Sequence, residues 1–340
     1  MVQVFLSHPP DKIETYFGAK AMQALQEIAE VRVSRDAGGL STAALVEAAR
    51  GCDALIAYRQ TPGSEALFRE LPELFAFIRC AVDIRTVDVA AASATGVLVT
   101  QASPGFVAAV AEWIVAAMID LGRGISRYAV ASRQGQPLAP FVGRELRGAT
   151  LGVIGLGRIG RALADLAIAF GMRVLAATPQ PIDARGGAIR HVSLDELLAS
   201  SDFVVCVAPA NAATERLLNA AAFAAMRDGA FFVNAARGEL VDDDALLAAL
   251  DSGHLAGCAL DVGRAPDQMP AAALVGHPRV LATPHIGGLT QPAIEHQALE
   301  TVAQLRSLLE GRIPPGAVNA DAATRWRQWC SGNLPANRTP

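Results

Sequence analysis

Apolar and polar positions alternate along the chain with two periods. Short, nearly unbroken apolar runs recur at 2–6, 31–34, 53–58, 74–81 and 97–100, and segments with helical spacing lie at 16–29, 43–50 and from 64 to 69. Apolar runs of that length, bounded by turn residues, read as strands buried on both faces, and their alternation with helices predicts a parallel sheet with helices on its faces. Ser103-Pro104-Gly105 breaks the pattern. The segment 107–121 is apolar around most of its circumference, which predicts a helix buried in an interdomain or intersubunit contact. A polar connection with Gly and Pro follows over 123–148. The alternation then restarts, with strands predicted at 151–154, 173–177, 203–207, 230–234, 257–261 and 280–283, while 269–274 reads as a loop. A second long, largely apolar helix is predicted over 292–309 and ends before Pro314-Pro315. The tail from 321 carries Trp326 and Trp329 as a packing anchor, then a polar terminus that reads as frayed.

At 340 residues the chain exceeds what one core usually holds, so two domains are expected. The two long helices flank the second unit. The simplest arrangement inserts one α/β unit into another, crossing near Pro104 and returning near Leu289, with the active site in the cleft between the domains. A net charge of −4 and no Lys/Arg block argue against nucleic acid or an anionic membrane as partner. The N-terminal apolar run is too short for an export signal, and the segment 107–121 carries Glu112 and Asp120, so neither export nor membrane insertion is expected. The five cysteines form no CxxC pair and no metal-ligand spacing; they read as free core thiols of a cytoplasmic protein, with Cys80 nearest the substrate side.

Thr150 to Ile154 runs into Gly155-Leu156-Gly157-Arg158-Ile159-Gly160 and then into an Ala/Leu-rich helical segment. Strand, glycine turn and helix in that order form a dinucleotide fingerprint. Gly155 permits the tight turn, Gly157 lets backbone touch a pyrophosphate, and Gly160 lets the helix pack closely on the strand.

Three further stretches lie at predicted strand ends, where ligands of an open α/β sheet bind. Asn234-Ala235-Ala236-Arg237-Gly238 offers an arginine suited to bidentate recognition of a carboxylate, or to a surface ion pair with Glu239 or Asp242. Thr283-Pro284-His285-Ile286-Gly287-Gly288 frames a histidine suited to donating a proton to a carbonyl oxygen. The other histidines, His8, His191, His254, His277 and His296, lack such a frame and read as surface or satisfied residues. Asp261 ends the apolar run of Gly257-Cys258-Ala259-Leu260, where a carboxylate needs donors such as the amide of a nicotinamide ring.

In this order the four motifs resemble the D-isomer-specific 2-hydroxyacid dehydrogenase family, supported by Pro209, Thr214, Asn219, Val241-Asp242 and the run from Pro315 to Asn319. The resemblance implies an α/β fold of two Rossmann-like/flavodoxin-like parallel-sheet domains. The NAD(P)-binding one (104–289) would be inserted into the substrate domain (1–103 plus 290–340). It further implies a dinucleotide site formed by Gly155, Leu156, Gly157, Arg158, Ile159, Gly160, Thr178, Ala208, Pro209, Thr214, Ala235, Asp261, His285 and Gly287. Arg237 would bind the carboxylate and carbonyl of a 2-oxo acid while His285 acts as acid and base; Arg59, Val82 and Asp83 would face the substrate. A homodimer acting on a small acid of the glyoxylate or hydroxypyruvate kind is the expected form. A dehydrogenase of another small anion, formate- or phosphite-like, and a dinucleotide-sensing regulator of the same fold are the competing readings.

The chain departs from the family pattern at three places. Pro266 stands where the resemblance calls for the glutamate that pairs with the histidine, leaving Asp267 as substitute partner and Gln268 as alternative. Thr178 occupies the end of the second fingerprint strand, where NAD-preferring relatives have an acid, which favours NADP over NAD, with Arg158 and Arg185 as nearby cations. Ala81-Val82-Asp83 replaces a Gly-Val-Gly run, and Arg85 and Arg59 either supply replacement charge or pair with Asp83 and Asp88. A carboxylate beside His285 would raise its pKa. Asp267→Asn is therefore expected to lower the upper pKa of the pH–rate profile, and an unchanged profile excludes Asp267 as the partner.

Overall fold

The computed structural model describes residues 1–37, 39–136, 138–179, 185–265 and 268–335. The chain divides into two compact units, Met1–Gly105 with Thr290–Pro340, and Phe106–Leu289.

The first unit contains strands β1 (Val2–Leu6), β2 (Ala29–Val33), β3 (Ala54–Ala57), β4 (Ala76–Arg79) and β5 (Leu98–Gln101). They form an all-parallel sheet in the order β2-β1-β3-β4-β5, the flavodoxin-like arrangement. Successive side chains enter opposite layers. Ala54 and Ile56 join Phe17, Leu25 and Trp326 on one face, while Leu55 and Ala57 join Leu45, Phe68 and Phe77 on the other. The single helix predicted over 16–29 is instead two, Pro10–Tyr16 and Ala19–Gln26. Gly18 between them has φ 83°, a left-handed conformation that stops the first helix, and Ala29 already belongs to β2.

The C-terminal segment completes this unit. Helix Gln291–Leu309 buries Ala298, Val302, Leu305 and Leu308 but exposes His296, Leu299, Ala303 and Arg306, so it is one-sided rather than apolar all round. Asn319 Oδ1 accepts from Val99 N (2.8 Å), and its Nδ2 donates to Val97 O (2.9 Å) and Ser93 Oγ (3.0 Å), tying the tail to β5. Helix Thr324–Asn333 carries both tryptophans of the tail, and residues 336–340 of the terminus expected to fray lie outside the described residues. Trp326 is fully buried with Nε1 donating to Leu308 O (3.1 Å), and Trp329 packs on Phe75. Burial of one such ring contributes about 4–5 kcal/mol.

The second unit contains β6 (Thr150–Ile154), β7 (Arg173–Ala177), β8 (Ile189–His191), β9 (Phe203–Cys206), β10 (Ala230–Asn234), β11 (Leu255–Leu260) and β12 (Val280–Ala282). All are parallel, in the order β12-β11-β10-β9-β6-β7-β8. Edge strand β8 has one apolar residue, Ile189, among its three, so no hydrophobic run marks it. The helix Val107–Arg123 packs on helix Arg158–Ala169 and on β10 and β11, inside its own unit. Its Ala108, Glu112, Ala116 and Arg123 are exposed, so its apolar surface is used within this core and the contact invoked from sequence is not needed to explain it. The connection after it carries an unforeseen helix, Ile125–Arg133, whose mixed composition gives little periodic signal. The stretch predicted as a loop at 269–274 likewise starts a short helix, Ala272–Val275, after Pro270. Among the described residues no helix is long and apolar enough to cross a membrane. All five cysteines are free and buried.

His8 is not the surface or satisfied residue expected. It is 1% exposed, with ring centroids 5.2 Å from both Phe17 and Tyr58. Neither ring nitrogen has a hydrogen-bond partner among the described residues, and burial, with help from the charge of Arg79, lowers its pKa to about 3. Above pH ~6.5 the imidazole is neutral in both folded and unfolded chains. As pH falls below that value only the unfolded chain takes the proton, so stability declines until the folded-state pKa is reached. Between pH 7 and pH 5 this group alone should remove about 2 kcal/mol. Urea unfolding at the two pH values checks it: His8→Leu should reduce the acid-induced loss by that amount, and an identical loss in variant and wild type refutes it.

Candidate active site

Because all seven strands of the larger sheet are parallel, their carboxyl ends share one edge. The loops leaving β6, β7, β9, β10, β11 and β12 carry Gly155–Gly160, Thr178, Ala208 to Thr214, Ala235 to Arg237, Asp261 and His285 respectively. The strand order reverses its direction across the sheet between β6 and β9, the switch point at which such sheets bind ligands.

At that point the backbone is closely packed. Gly155 has φ 93°, and a Cβ there would lie 2.6 Å from Ala208 Cα and 2.7 Å from Ala208 N. A Cβ on Gly160 would lie 2.4 Å from Gly155 O. Gly157 is the opposite case, with nothing within 4 Å of its Cβ position. It is the N-cap of helix Arg158–Ala169, which no side chain caps, and the helical ladder begins with Arg161 N donating to Gly157 O (3.0 Å). The N–H groups of the preceding turn therefore lack intrahelical acceptors, and open space lies beside the glycine. The residues present fit a dinucleotide pyrophosphate. Leu156 is buried, Ile159 half-buried and Arg158 exposed.

Thr178 follows β7, and its carbonyl oxygen is 2.9 Å from His191 Nε2. Of the two cations named beside it, Arg185 pairs with Asp165 (3.2 Å) and Arg158 opens the fingerprint helix. Thr214 closes its own loop: Oγ1 donates to Pro209 O (2.8 Å) and accepts from Asn211 N (2.9 Å).

The loop after β10 is shaped by Asn234, 1% exposed. Its Oδ1 accepts from Ala236 N (3.0 Å) and its Nδ2 donates to Arg237 O (2.9 Å). Arg237 is half-buried and extended, with Nη1 donating to Ala236 O (2.7 Å). The ion pair with Asp242 weighed from sequence is not formed; Asp242 caps helix Asp243–Asp251 and pairs with Arg216 (3.5 Å).

The histidine loop hangs on Asp261. Its Oδ1 accepts from Thr283 Oγ1 (2.6 Å) and Ile286 N (2.8 Å), and its Oδ2 accepts from Gly287 N (2.7 Å). Burial pushes its pKa up, opposed by the Thr283 hydroxyl and then by the Gly287 and Ile286 amides. His285 sits between these donors with φ 54°, a left-handed conformation unusual for a side chain of this size, and is half-buried. The donors that Asp261 was expected to seek on a nicotinamide are therefore supplied, in this structure, by the protein loop. Asp267 lies outside the described residues. Gln268, the alternative partner, has φ 62°, donates its N–H to Ala265 O (2.7 Å) and accepts from Gly263 N (2.8 Å).

In the first unit, Arg59 follows β3, and Val82 and Asp83 follow β4. Arg85 chelates Asp83, with Nε 3.0–3.1 Å and Nη2 2.8 Å from the carboxylate, and Asp88 caps helix Val89–Thr95 by accepting from Ala91 N (2.8 Å). The guanidinium of Arg59 lies 5.5 Å from the Tyr16 ring centroid. Sequence reasoning missed Arg79, which is fully buried in β4 and fixes the Arg59 loop by donating to Tyr58 O, Thr61 O (2.7 Å) and Thr86 Oγ1 (2.9 Å). A lone arginine in an apolar strand carries no pattern that announces such a role. Cys80 is buried, and burial pushes its thiol up to about 11, which does not suit a nucleophile.

Fold and glycine turn together define a dinucleotide-binding protein of the doubly wound α/β class. A family model described as the NAD binding domain of D-isomer specific 2-hydroxyacid dehydrogenase matches residues 115–287. The chain belongs to the D-isomer specific 2-hydroxyacid dehydrogenase family. It is similar to the D-3-phosphoglycerate dehydrogenase of Bacillus subtilis (35% identity over 277 residues, 80% of this chain and 52% of that protein). Among solved structures it is similar to the TT0316 protein of Thermus thermophilus (34% identity, 93% of this chain and 100% of that one, TM-score 0.83). It is also similar to the D-lactate dehydrogenase of Escherichia coli (27% identity, 94% and 100%, TM-score 0.80). The chain spans about half the length of the curated phosphoglycerate dehydrogenases it matches.

Replacing Asp261 with Asn would turn one of its acceptor oxygens into a donor facing an N–H or hydroxyl. Asp261→Asn is expected to cost about 2 kcal/mol of stability. It should also speed amide exchange at Ile286 and Gly287, read by urea unfolding and hydrogen exchange. Wild-type exchange at both amides would show that another group holds the loop.

Proposed function

We propose that the chain is an NAD(P)-dependent D-2-hydroxyacid dehydrogenase that interconverts a small 2-oxo acid and its (R)-2-hydroxy acid. One observation carries the reading. Arg237 and His285 leave β10 and β12, on either side of Asp261, at the edge that also holds the glycine turn. An arginine orients the planar carboxylate, the histidine transfers a proton to or from the substrate oxygen, and Asp261 fixes the loop that presents the histidine. When bound, the dinucleotide supplies or accepts the hydride. Arg237 also stabilises charge developing on the carbonyl oxygen. Asp267 is the proposed charged partner of His285.

Relatives named as acting on 3-phosphoglycerate and on D-lactate support a small 2-hydroxy acid as the substrate class. Glyoxylate and hydroxypyruvate are the proposed members. The missing carboxylate at Thr178 supports NADP over NAD.

The test is the decrease in NAD(P)H absorbance with glyoxylate, hydroxypyruvate, pyruvate and phosphohydroxypyruvate. His285→Ala should lower kcat by roughly 10²–10⁴-fold, and Arg237→Lys should raise KM for the acid because an ammonium cannot form the bidentate pair. Thr178→Asp should shift kcat/KM toward NADH by about tenfold through repulsion of a 2′-phosphate. Cofactor binding without turnover of any acid would favour the regulator, and a wild-type kcat/KM strongly favouring NADH would refute the NADP preference.

A further inference from the structure

The loops leaving β9, β10 and β11 are stitched into one block. Arg216 N donates to Glu239 O (2.9 Å), Leu218 N to Leu240 O (2.9 Å) and Asp242 N to Leu218 O (3.0 Å). Gly238, next to Arg237, packs directly on the third loop, since a Cβ there would lie 2.0 Å from Gly263 C and 2.3 Å from Arg264 N. The side chain of Arg264 crosses the junction. Its Nε donates to Val241 O (3.0 Å), and its Nη2 donates to Glu239 O (2.8 Å) and to Glu215 Oε1 (2.6 Å).

Each loop carries one part of the proposed machinery: Pro209 and Thr214 in the first, Arg237 in the second and Asp261 in the third. We propose that Arg264 is a positioning residue that couples the dinucleotide-side loop at 209–215 to the orientation of Arg237, so that the two ligands tighten each other's binding. This rests on the dehydrogenase reading above. Glu215 is half-exposed, and a pair between Glu215 and Arg264 alone would contribute little. What distinguishes the contact is that one planar guanidinium also binds two backbone carbonyls of the Arg237 loop. A lysine ammonium cannot reproduce that three-acceptor geometry. The carbonyl of Glu239 receives both Arg216 N and Arg264, so a shift of either neighbouring loop is felt two residues from Arg237. The bonds Leu218 N to Leu240 O and Asp242 N to Leu218 O do not pass through Arg264, so its loss loosens the junction without removing them.

The experiment measures NADPH and NADH affinity by fluorescence with and without oxamate, an unreactive isostere of a 2-oxo acid. Wild type should show oxamate tightening dinucleotide binding by about tenfold or more. In Arg264→Ala and Arg264→Lys that factor should fall below about threefold, with dinucleotide affinity alone changing less than that. Glu215→Gln, which leaves both carbonyl bonds, should fall between. Without any ligand, amide exchange across 236–241 should be about tenfold faster in Arg264→Ala. If Arg264→Ala fails to fold, Arg264→Lys and Glu215→Gln give the same readout. Wild-type coupling that survives in the variants overturns the role of Arg264 alone. A wild type that binds dinucleotide, turns over no acid and shows no coupling overturns the dehydrogenase reading instead.

Discussion

The constraint from which the rest follows is the common direction of the seven strands in the larger sheet. Parallel strands must be joined by crossovers, so every connection leaves from the same edge and every loop that begins there can meet a common ligand. The order β8-β7-β6-β9-β10 reverses direction between β6 and β9, which opens the crevice. There Gly155 and Ala208 approach too closely for any side chain on the first, while Gly157 faces open space. The same residue type thus meets two opposite demands within one turn, contact with protein and clearance for a ligand.

Loops at such an edge need internal acceptors and donors, since backbone groups removed from water must be paired. Two buried side chains supply them. Asn234 closes the turn that leads to Arg237, and Asp261 gathers a hydroxyl and two amides from the turn that holds His285. A carboxylate at 4% exposure is unfavourable unless its lone pairs are filled, and here the filling groups all come from one loop. The left-handed backbone of His285 is tolerated because that network over-determines it.

The architecture was legible in the chain because buried parallel strands are plain runs of apolar residues, as β3, β6 and β9 show. What escaped lacked an apolar pattern: β8, with two polar residues of three, and the helix Ile125–Arg133 in a polar stretch. The helix Val107–Arg123 was legible as buried, but its partner was not, since apolar periodicity tells that a face is covered and not by what. In the site, the residues set in glycine and proline frames were visible as chemistry. The supports were not. Arg79 and Arg264 act through backbone carbonyls brought in from distant positions, and nothing in their own neighbourhood in the sequence records those acceptors.

The loop after β4 shows how a departure from a family pattern can be compensated locally. Asp83 stands where the resemblance leads one to expect glycine, and an isolated carboxylate there would repel an anionic acid. Arg85, two residues on, binds it through both Nε and Nη2 and also donates its backbone N–H (3.0 Å). A bidentate pair of this kind has little net field beyond its own length, and its partial exposure adds solvent screening. The added charge is thereby neutralised where it arises, so an aspartate at this position does not by itself close the loop to a carboxylate. The side chains still occupy space that glycine would leave empty, so under the dehydrogenase reading proposed above, with this loop facing the acid, any effect on which acid is accepted would fall on shape more than on charge.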